Sequence, residues 1–400
     1  MKKLFCYITL LMLLCACRPE LPGHRVVICV PVYGQSLALG EEAERLTDFD
    51  SLAVYAGGRI VTENMDHRFG YFDNDSKKQW AKKLIRYQKR AFELSVYRMA
   101  QELADHTGTD TLICIFPGGQ GATAIAHLSK GTPPYNKFME DIETAYNTAK
   151  ENGWDFVLPA VCWMQGESDI ADYPDTNYRQ LLIRIWQDMD EDIRRITHQR
   201  DTIHFICYQP NSLTRAPQFK ADNYWCQETA VPQTFTDLLQ AHPYFWASGP
   251  TYPYACVGEK IHIDAAGQQQ VGMLAARSVL DILRQGDRQR GLIPLSTTVD
   301  RQDVVIRFNV PVPPLTIDTV QVTKADHYGF SVIDQQGRDI VQDVLITGDS
   351  IRIHCAASPI GCKARYAVNG EYMKSGHLHG PRGNIRDAKG HWCYMFDLKL

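Results

Sequence analysis

Four short stretches of this sequence carry the residue types that acyl transfer from an ester requires. They are "GQS" (34–36), "GGQGAT" (118–123), "MQGESD" (164–169) and "GEKIHID" (258–264). The reaction needs a hydroxyl nucleophile, an imidazole that takes its proton, a carboxylate that orients the imidazole, and donors for the oxyanion. Ser36, His262 and Glu259 supply the first three. The glycine backbone and the Gln165 amide, which offers two N–H groups and does not ionise, supply the donors.

The glycine-rich stretch has a second interpretation that the surrounding sequence excludes. Residues 119–124, "GQGATA", fit the dinucleotide fingerprint. That fingerprint needs an uninterrupted helix and an acidic residue about twenty positions later, after a second strand. Here "HLSKGTPPY" (127–135) breaks the helix, and Glu140 and Asp141 fall inside an amphipathic helical pattern. A phosphate-binding P-loop is excluded too, because no Lys follows the glycines.

The elements that must position these stretches alternate between strands and helices from about residue 25 to 285. Four apolar, β-branched runs predict strands: "RVVICVPV", "TDTLICIF", "WDFVLPAVCW" and "DTIHFICY". Amphipathic helices lie between them. The strongest helical spacing joins Tyr178, Leu181, Leu182, Ile185, Trp186, Met189, Ile193 and Ile196. This alternation predicts a parallel sheet covered on both faces. Reactive loops are then expected at the carboxyl ends of the strands.

The pattern changes after "LDILRQGDRQRGLIP". From residue 297 to 400 the chain reads as short alternating strands separated by Gly, Asp and Pro turns. The runs are "DVVIRFNV", "DTVQVTKA", "GFSVIDQQGR", "DVLITGD", "SIRIHC" and "ARYAVNG". They predict a small C-terminal β-sandwich.

The four stretches, in this order, resemble the SGNH (GDSL-type) hydrolase superfamily, and within it the sialate O-acetylesterase-like carbohydrate esterases. The resemblance covers residues 25–285 and implies a flavodoxin-like three-layer α/β/α fold. It implies Ser36 as nucleophile and oxyanion donor, and His262 as general base. Gly121, with Gly119 as the alternative alignment, and Gln165 would complete the oxyanion hole.

The third triad member is where the sequence departs from the family. The family has Asp three residues before the His, and this chain has Glu259. Glu is one methylene longer and still reaches an imidazole, so Glu259 is the prediction, with Asp264 and Asp169 as alternatives. An α/β-hydrolase is disfavoured because "GQSLA" lacks the second glycine of GxSxG and follows the first strand.

The substrate implied by this resemblance is an acetylated glycan. Glu167 shapes the third loop and is expected beside the substrate. Residues 208–260 read as one long loop whose aromatic side chains form a sugar platform or pack as a satellite core, notably Tyr224, Trp225, Tyr244 and Trp246. The resulting prediction is a carboxylic-ester hydrolase without metal or other cofactor. The alternative is a catalytically weak or inactive glycan-binding protein on the same fold.

Charge and cysteine content limit the other partners. The formal net charge is -4, from 42 basic and 46 acidic residues, so no electrostatic footprint for nucleic acid is present. No protein partner is predicted.

Of the 12 cysteines, nine follow Cys17. Cys29, Cys114, Cys162 and Cys207 lie in apolar runs and are predicted to be buried thiols. An oxidising compartment would permit Cys226 to pair with Cys256, or Cys355 with Cys362.

The N-terminus predicts export. "MKK" is followed by the apolar "LFCYITLLMLL" and by "LCAC", which resembles a bacterial lipobox ending at Cys17. We expect a signal peptide at 1–17, with lipid on Cys17, followed by a linker at 18–24. The alternative is ordinary secretory cleavage nearby. The lipidated form would cross the inner membrane and stay lipid-anchored in the cell envelope, in the periplasm or at the outer membrane.

The lipid prediction is tested by Cys17→Ser. Several acyl chains hold a protein on a membrane stably, whereas none would remain on the variant. We expect the wild-type chain to sediment with the membrane fraction and the variant to move to the soluble fraction. An equal membrane-bound share for both would refute the anchor.

Overall fold

The computed structural model describes residues 25–63, 84–86, 92–172, 177–210, 229–371 and 374–400. The predicted signal peptide, the linker, Cys17, Tyr224, Trp225 and Cys226 lie outside these residues. No helix of the described part is long and apolar enough to cross a membrane.

Two of the four predicted strand runs, "RVVICVPV" and "WDFVLPAVCW", form two consecutive strands each, because Pro31 and Pro159 lack the N–H that a central strand donates. After the run "TDTLICIF", a further short strand begins at Pro117. The parallel strands are β1 Val26–Cys29, β2 Val32–Gly34, β3 Ile60–Glu63, β5 Thr111–Cys114, β6 Pro117–Gly119, β7 Asp155–Val157, β8 Ala160–Met164, β9 His204–Gln209 and β10 Phe245–Pro250. β4, Leu84–Arg86, pairs antiparallel with β3 at the edge.

The strand order is that of a flavodoxin-like sheet. One half pairs in the order β4-β3-β5-β1-β7 and the other in the order β10-β9-β8-β2-β6. Because β1 continues into β2, β5 into β6 and β7 into β8, the strands β1–β2, β5–β6, β7–β8, β9 and β10, numbered in that order, lie as 2-1-3-4-5, and β3 adds to the edge outside β5. The order reverses beside β2, and ligands bind at such a switch point. The predicted parallel α/β fold is confirmed.

Helices cover both faces of the sheet. They are α1 Phe49–Gly58, α2 Ser95–Asp105, α3 Pro133–Glu151, α4 Glu167–Asp172, α5 Tyr178–Thr197, α6 Ala230–Ala241 and α7 Ala265–Leu283. Successive residues of β1 enter opposite cores: Val27 packs with α3, α5 and α6, and Ile28 packs with α2 and α7. Since both faces are buried, the strands need no polar alternation, as their near-continuous apolar sequence indicated.

The C-terminal region is all-β, as predicted. Its strands are β11 Ile293–Asp300, β12 Asp303–Asn309, β13 Leu315–Ile317, β14 Phe330–Ile333, β15 Val341–Thr347, β16 Ser350–Cys355, β17 Lys363–Tyr366, β18 Ile385–Asp387 and β19 Phe396–Lys399. A four-stranded sheet, β11-β12-β16-β15, and a three-stranded sheet, β14-β17-β19, enclose one core around Ile353, Tyr366 and Phe396.

Two local predictions are wrong. "DTVQVTKA" is a turn, because Asp318 Oδ1 accepts the N–H groups of Val320 and Gln321, and Val320 is 96% exposed. Residues 208–260 are not one loop, since they contain α6 and β10.

The predictions for buried thiols and for disulfide pairs have different outcomes. The four thiols in the apolar runs, Cys29, Cys114, Cys162 and Cys207, are buried as predicted. Cys355, Cys362 and Cys256 are free thiols in the structure.

The close approach of α7 to α2 generates a stability prediction. A methyl group on Gly272 would overlap the Ser95 carbonyl oxygen and lie 3.2 Å from the Met99 nitrogen, both of them backbone atoms. We expect Gly272→Ala to lower the free energy of unfolding by about 1–3 kcal/mol, because the helices must separate. Gly286→Ala is the matched control, since its methyl group meets nothing closer than 3.5 Å. Equal thermal unfolding midpoints for the two variants would contradict this account.

Candidate active site

Ser36 lies at the switch point of the sheet, two residues after β2. The chain turns back at once, with the N–H groups of Leu39 and Glu41 both donating to the Ser36 carbonyl at 3.1 and 3.0 Å. The side chain is directed at His262, and Ser36 Oγ lies 2.8 Å from His262 Nε2. Ser36 is 4% exposed. The predicted pairing of the hydroxyl with this imidazole is present in the structure.

The loop before α7 holds His262 from its backbone. The Val257 N–H donates to the His262 carbonyl at 2.7 Å, and the Asp264 N–H donates to Ala255 at 2.8 Å. Asp264 then caps α7, its Oδ1 accepting the Gly267 N–H at 2.8 Å. Asp264 is therefore a helix cap and not the partner of the imidazole.

The carboxylate at the imidazole is Glu42, which the sequence did not single out. Glu42 Oε2 lies 2.7 Å from His262 Nδ1. Nδ1 therefore carries the hydrogen that it donates to Glu42, and Nε2 is free to accept from Ser36. The predicted partner was Glu259, whose side chain lies outside the described residues. The alternative Asp169 accepts instead from the Ile125 N–H at 2.9 Å.

A buried carboxylate anchors the loop that carries Glu42. Glu93 is fully buried, and its Oε2 accepts the N–H groups of Leu46 and Thr47 at 3.0 and 2.8 Å. Its Oε1 accepts from Gln269 of α7 at 3.0 Å. The loop and the helix beside His262 are thus tied to one group. Glu42 itself adopts φ 64°, a left-handed conformation uncommon for Glu.

Two backbone N–H groups are available to an oxyanion. In the described part of the chain, neither Ser36 nor Gly121 donates its N–H to a protein acceptor. A methyl group on Gly121 would lie 3.8 Å from Ser36 Cβ, so this glycine is beside the nucleophile. Gly119 instead packs on β2 with φ 112°, and a methyl group there would overlap the Gly34 carbonyl. The geometry favours Gly121 over Gly119.

The Gln165 side chain is hydrogen-bonded within the protein. It is fully buried, and its Nε2 donates to the Thr123 carbonyl at 3.2 Å and to Asp169 Oδ2 at 2.5 Å. Both amide hydrogens are therefore used inside the protein. Its Oε1 accepts from the Tyr178 hydroxyl at 2.8 Å. Gln165 thus joins the second loop to the third, and the predicted donation to an oxyanion would require it to exchange one of these hydrogen bonds.

Gln35 makes a similar connection that the sequence analysis missed. This 2% exposed side chain uses Oε1 to accept the N–H groups of Gly166 and Ser168 at 3.4 and 3.2 Å. The first loop is thereby fixed to the start of α4. The only feature of the sequence that could have indicated this role of Gln35 is its position next to Ser36.

The second and third loops also contain left-handed residues. Ala122 has φ 50° and Gly166 has φ 147°. At Gly166 a methyl group would lie 2.7 Å from Pro210 Cγ, so glycine is needed for space as well as conformation. Backbone conformations of this kind concentrate at functional sites, where surrounding contacts hold them.

Glu167 lies beneath the site and not beside the substrate, where it was expected. It is 2% exposed, and its Oε2 accepts from the Tyr208 hydroxyl at 2.5 Å. Burial raises the pKa of Glu167 to about 7, an increase that the Tyr208 hydrogen bond partly opposes. The expected shaping of the third loop is compatible with this position.

Trp246 is not part of a sugar platform. It belongs to β10 near the amino end of that strand, away from the loops of the site, and is 5% exposed. Its Nε1 donates to His204 Nδ1 at 2.8 Å. Of the two interpretations of Trp246, core packing is correct.

Among the described residues, no three His, Cys, Asp or Glu side chains converge as they would around a metal ion.

A family model described as carbohydrate esterase, sialic acid-specific acetylesterase, matches residues 76–281. The match spans about half of the 400 residues, includes Gly121, Gln165 and His262, and begins after Ser36. No curated protein matches the chain by sequence.

Among solved structures, a carbohydrate acetylesterase from Xanthomonas citri is similar over 93% of this chain and 80% of its own, with 16% identity and a TM-score of 0.65. A protein from Arabidopsis thaliana covers 65% of this chain and 99% of its own, with 16% identity and a TM-score of 0.45. NanS covers 66% of this chain and 98% of its own, with 15% identity and a TM-score of 0.44. The fold comparison therefore rests on the Xanthomonas structure.

The buried Glu167 carboxyl generates a pH-dependent prediction. Its pKa is about 7 in the folded protein against 4.5 for an ordinary Glu, so the folded state binds the proton more tightly. The tighter proton binding at Glu167 stabilises the folded state fully below pH 4.5, and this stabilisation is lost as the pH rises to 7. Glu167→Gln keeps a neutral partner for Tyr208 and removes that loss.

We expect the Gln variant to gain about 1–3 kcal/mol relative to wild type between pH 5 and pH 8. Urea unfolding at both pH values measures the difference. Asp155→Asn, an exposed carboxylate on β7, is the control. A stability difference that is independent of pH would show that Glu167 is ionised across this range.

Proposed function

Since the chain belongs to the sialic acid-specific acetylesterase family of carbohydrate esterases and is a carboxylic-ester hydrolase, we propose that it removes acetyl groups from a glycan through an acetyl-enzyme formed on Ser36. The observation that carries the proposal is the hydrogen-bonded series from Ser36 Oγ through His262 to Glu42, with 2.8 and 2.7 Å contacts.

In the first half-reaction, Ser36 Oγ attacks the acetyl carbonyl carbon while His262 Nε2 takes the hydroxyl proton. The N–H groups of Ser36 and Gly121 donate to the oxyanion of the tetrahedral intermediate. As that intermediate collapses, the C–O bond to the sugar breaks and His262 returns the proton to the sugar oxygen. The products are the free sugar hydroxyl and acetylated Ser36.

In the second half-reaction, His262 Nε2 takes a proton from water, and the resulting hydroxide attacks the acetyl group. Collapse breaks the bond to Ser36 Oγ, returns the proton from His262 to that oxygen, and releases acetic acid, which ionises to acetate. Glu42 stays ionised in both halves, since its task is to fix the tautomer and stabilise the imidazolium.

The exposure of Glu42 limits its contribution. Its side chain is 56% exposed, whereas that of His262 is 19% exposed. A carboxylate in contact with solvent stabilises an imidazolium less than a buried one, because water and salt screen the charge. The Ser36 and His262 pair should therefore retain considerable activity without it.

The kinetic prediction is a graded series measured as kcat/KM on an acetylated glycan and on 4-nitrophenyl acetate. Ser36→Ala and His262→Ala should each cost about a thousandfold or more, and the double variant little beyond either. Glu42→Gln should cost less, about tenfold to a hundredfold, because it removes charge but leaves the dyad. Glu44→Gln is the control, since Glu44 is exposed on the same loop.

Glu259→Gln decides between the two carboxylates. If Glu42 holds the role, Glu259→Gln should remain within about twofold of wild type. A large loss in Glu259→Gln with none in Glu42→Gln would assign the role to Glu259. Turnover near that of wild type in His262→Ala would refute the mechanism.

A further inference from the structure

The loop that carries His262 enters the C-terminal region before it reaches the active site. We define the His262 loop as residues 251–264, which join β10 to α7. Its second residue, Tyr252, is 3% exposed and packs in the core of the C-terminal region. The Tyr252 ring lies 6.5 Å from that of Tyr366 and 6.1 Å from that of Trp392, with interplanar angles of 73° and 80°. A side chain that precedes the catalytic histidine is therefore part of the C-terminal core.

The Tyr252 hydroxyl both donates and accepts a hydrogen bond in that core. It donates to the Cys393 carbonyl at 2.8 Å. It also lies 3.1 Å from the Tyr366 hydroxyl, and because its only hydrogen goes to Cys393, Tyr366 is the donor of this second contact. Displacing Tyr252 would deprive the buried Cys393 carbonyl of this donor, and such a loss is costly in a core.

The residues just before Tyr252 are bound to the same region. The Gly249 N–H donates to the Tyr394 hydroxyl at 2.7 Å. Thr251 donates from its N–H and from its hydroxyl to the Gln209 carbonyl, at 3.0 and 3.1 Å. The Gln209 amide then bonds both backbone groups of Met395, donating at 3.0 Å and accepting at 2.7 Å. The end of β10 and the start of the His262 loop are thus fixed to the segment that leads into β19.

The residues around Tyr252 also contact the C-terminal region through their backbone. The Pro253 carbonyl accepts from the Gln321 amide at 3.3 Å. A methyl group on Gly376 would lie 2.6 Å from Tyr252 Cβ, so the C-terminal chain passes directly against the loop. The first part of the loop is therefore held by several segments of the C-terminal region.

The second part of the loop doubles back and carries His262. Cys256 pairs antiparallel with Ile263. Beside this bridge, the Val257 N–H donates to the His262 carbonyl at 2.7 Å. Because Val257 follows Tyr252 by only five residues, a displacement of Tyr252 is passed through this pairing to the His262 backbone.

The C-terminal region acts on the active site only through this backbone. Within the described part of the chain, Ser36, His262 and Glu42 have no hydrogen bond to a residue after 292. The imidazole must nevertheless keep both of its contacts, at 2.8 and 2.7 Å. Proton transfer is sensitive to such placement, since a shift of about 1 Å lowers a rate about a hundredfold.

We infer that the C-terminal region positions His262 for proton transfer, and that Tyr252 is the positioning residue through which it acts. The inference rests on the proposed function for the role of His262 as general base. It gives a region that supplies no group to the active site a direct effect on turnover.

The test is Tyr252→Phe in the full chain, which keeps the ring and removes the hydroxyl. Loss of the bonds to Cys393 and Tyr366 should loosen the His262 loop. We expect kcat on 4-nitrophenyl acetate to fall about tenfold or more. KM should stay within about twofold of wild type, because His262 acts in both half-reactions.

The control is Ile351→Val. Ile351 is fully buried in the same core but lies on β16, in the sheet that does not contain Tyr366. Its truncation weakens the C-terminal core without removing a hydrogen bond. We expect this variant to keep the wild-type kcat at temperatures where both variants are folded.

A double-variant cycle separates positioning from a general loss of structure. If Tyr252 acts through His262, Tyr252→Phe should lower kcat/KM by less than about twofold when it is added to His262→Ala. A purely structural effect would lower kcat/KM by the same factor in both backgrounds. If Tyr252→Phe does not fold, Tyr394→Phe, which removes the acceptor of the Gly249 N–H, is measured in the same cycle.

Three results would overturn the inference: a wild-type kcat in Tyr252→Phe, an equal fall in Ile351→Val, or the same factor lost with and without His262. Failure of the proposed function gives a different result, which is turnover near that of wild type in His262→Ala alone. That variant leaves Tyr252 intact, so the two failures are separable.

Discussion

Function in this structure depends on holding one imidazole between two side chains that come from a single loop. His262 meets Ser36 through one nitrogen and Glu42 through the other, at 2.8 and 2.7 Å. Those partners precede it by 226 and 220 residues, so local sequence contributes nothing to the contact. The sheet must bring the end of β2 to the loop before α7. The close packing of α2 on α7 at Gly272 keeps that helix in place.

Buried polar groups beneath the site make the loops rigid. Gln35, Gln165 and Glu93 all use their side chains to join separate segments of backbone. Unpaired buried polar groups are costly, so each loop is held in the conformation that satisfies them. This explains why Gln165, whose amide was expected to face the substrate, has both hydrogens engaged within the protein. It also explains how Glu42 and Ala122 maintain left-handed backbone conformations.

The C-terminal region contacts α7, the helix that follows the loop of His262. Its buried Asp387 fixes His391, and His391 fixes Arg277 on α7. The β-region is therefore coupled to the esterase region through the helix that starts two residues after His262.

The sequence by itself determined the parallel α/β fold, the β-rich C-terminal region, the strand ends at which reactive loops lie, and the identity of Ser36, His262 and Gly121 as candidates. The fold predictions follow from hydrophobic periodicity, and the candidate residues follow from short motifs and, for Gly121, from the family resemblance that those motifs carry. Tertiary structure alone decided that Glu42 faces the imidazole, that Gln165 and Glu167 are internal, and that Trp246 packs in the core. The physical reason is that a carboxylate, amide or indole has the same local sequence signal whether it meets substrate or protein. The sequence does not distinguish Glu41, Glu42 and Glu44. In the folded chain, Glu42 has a left-handed backbone conformation, and its carboxylate contacts His262.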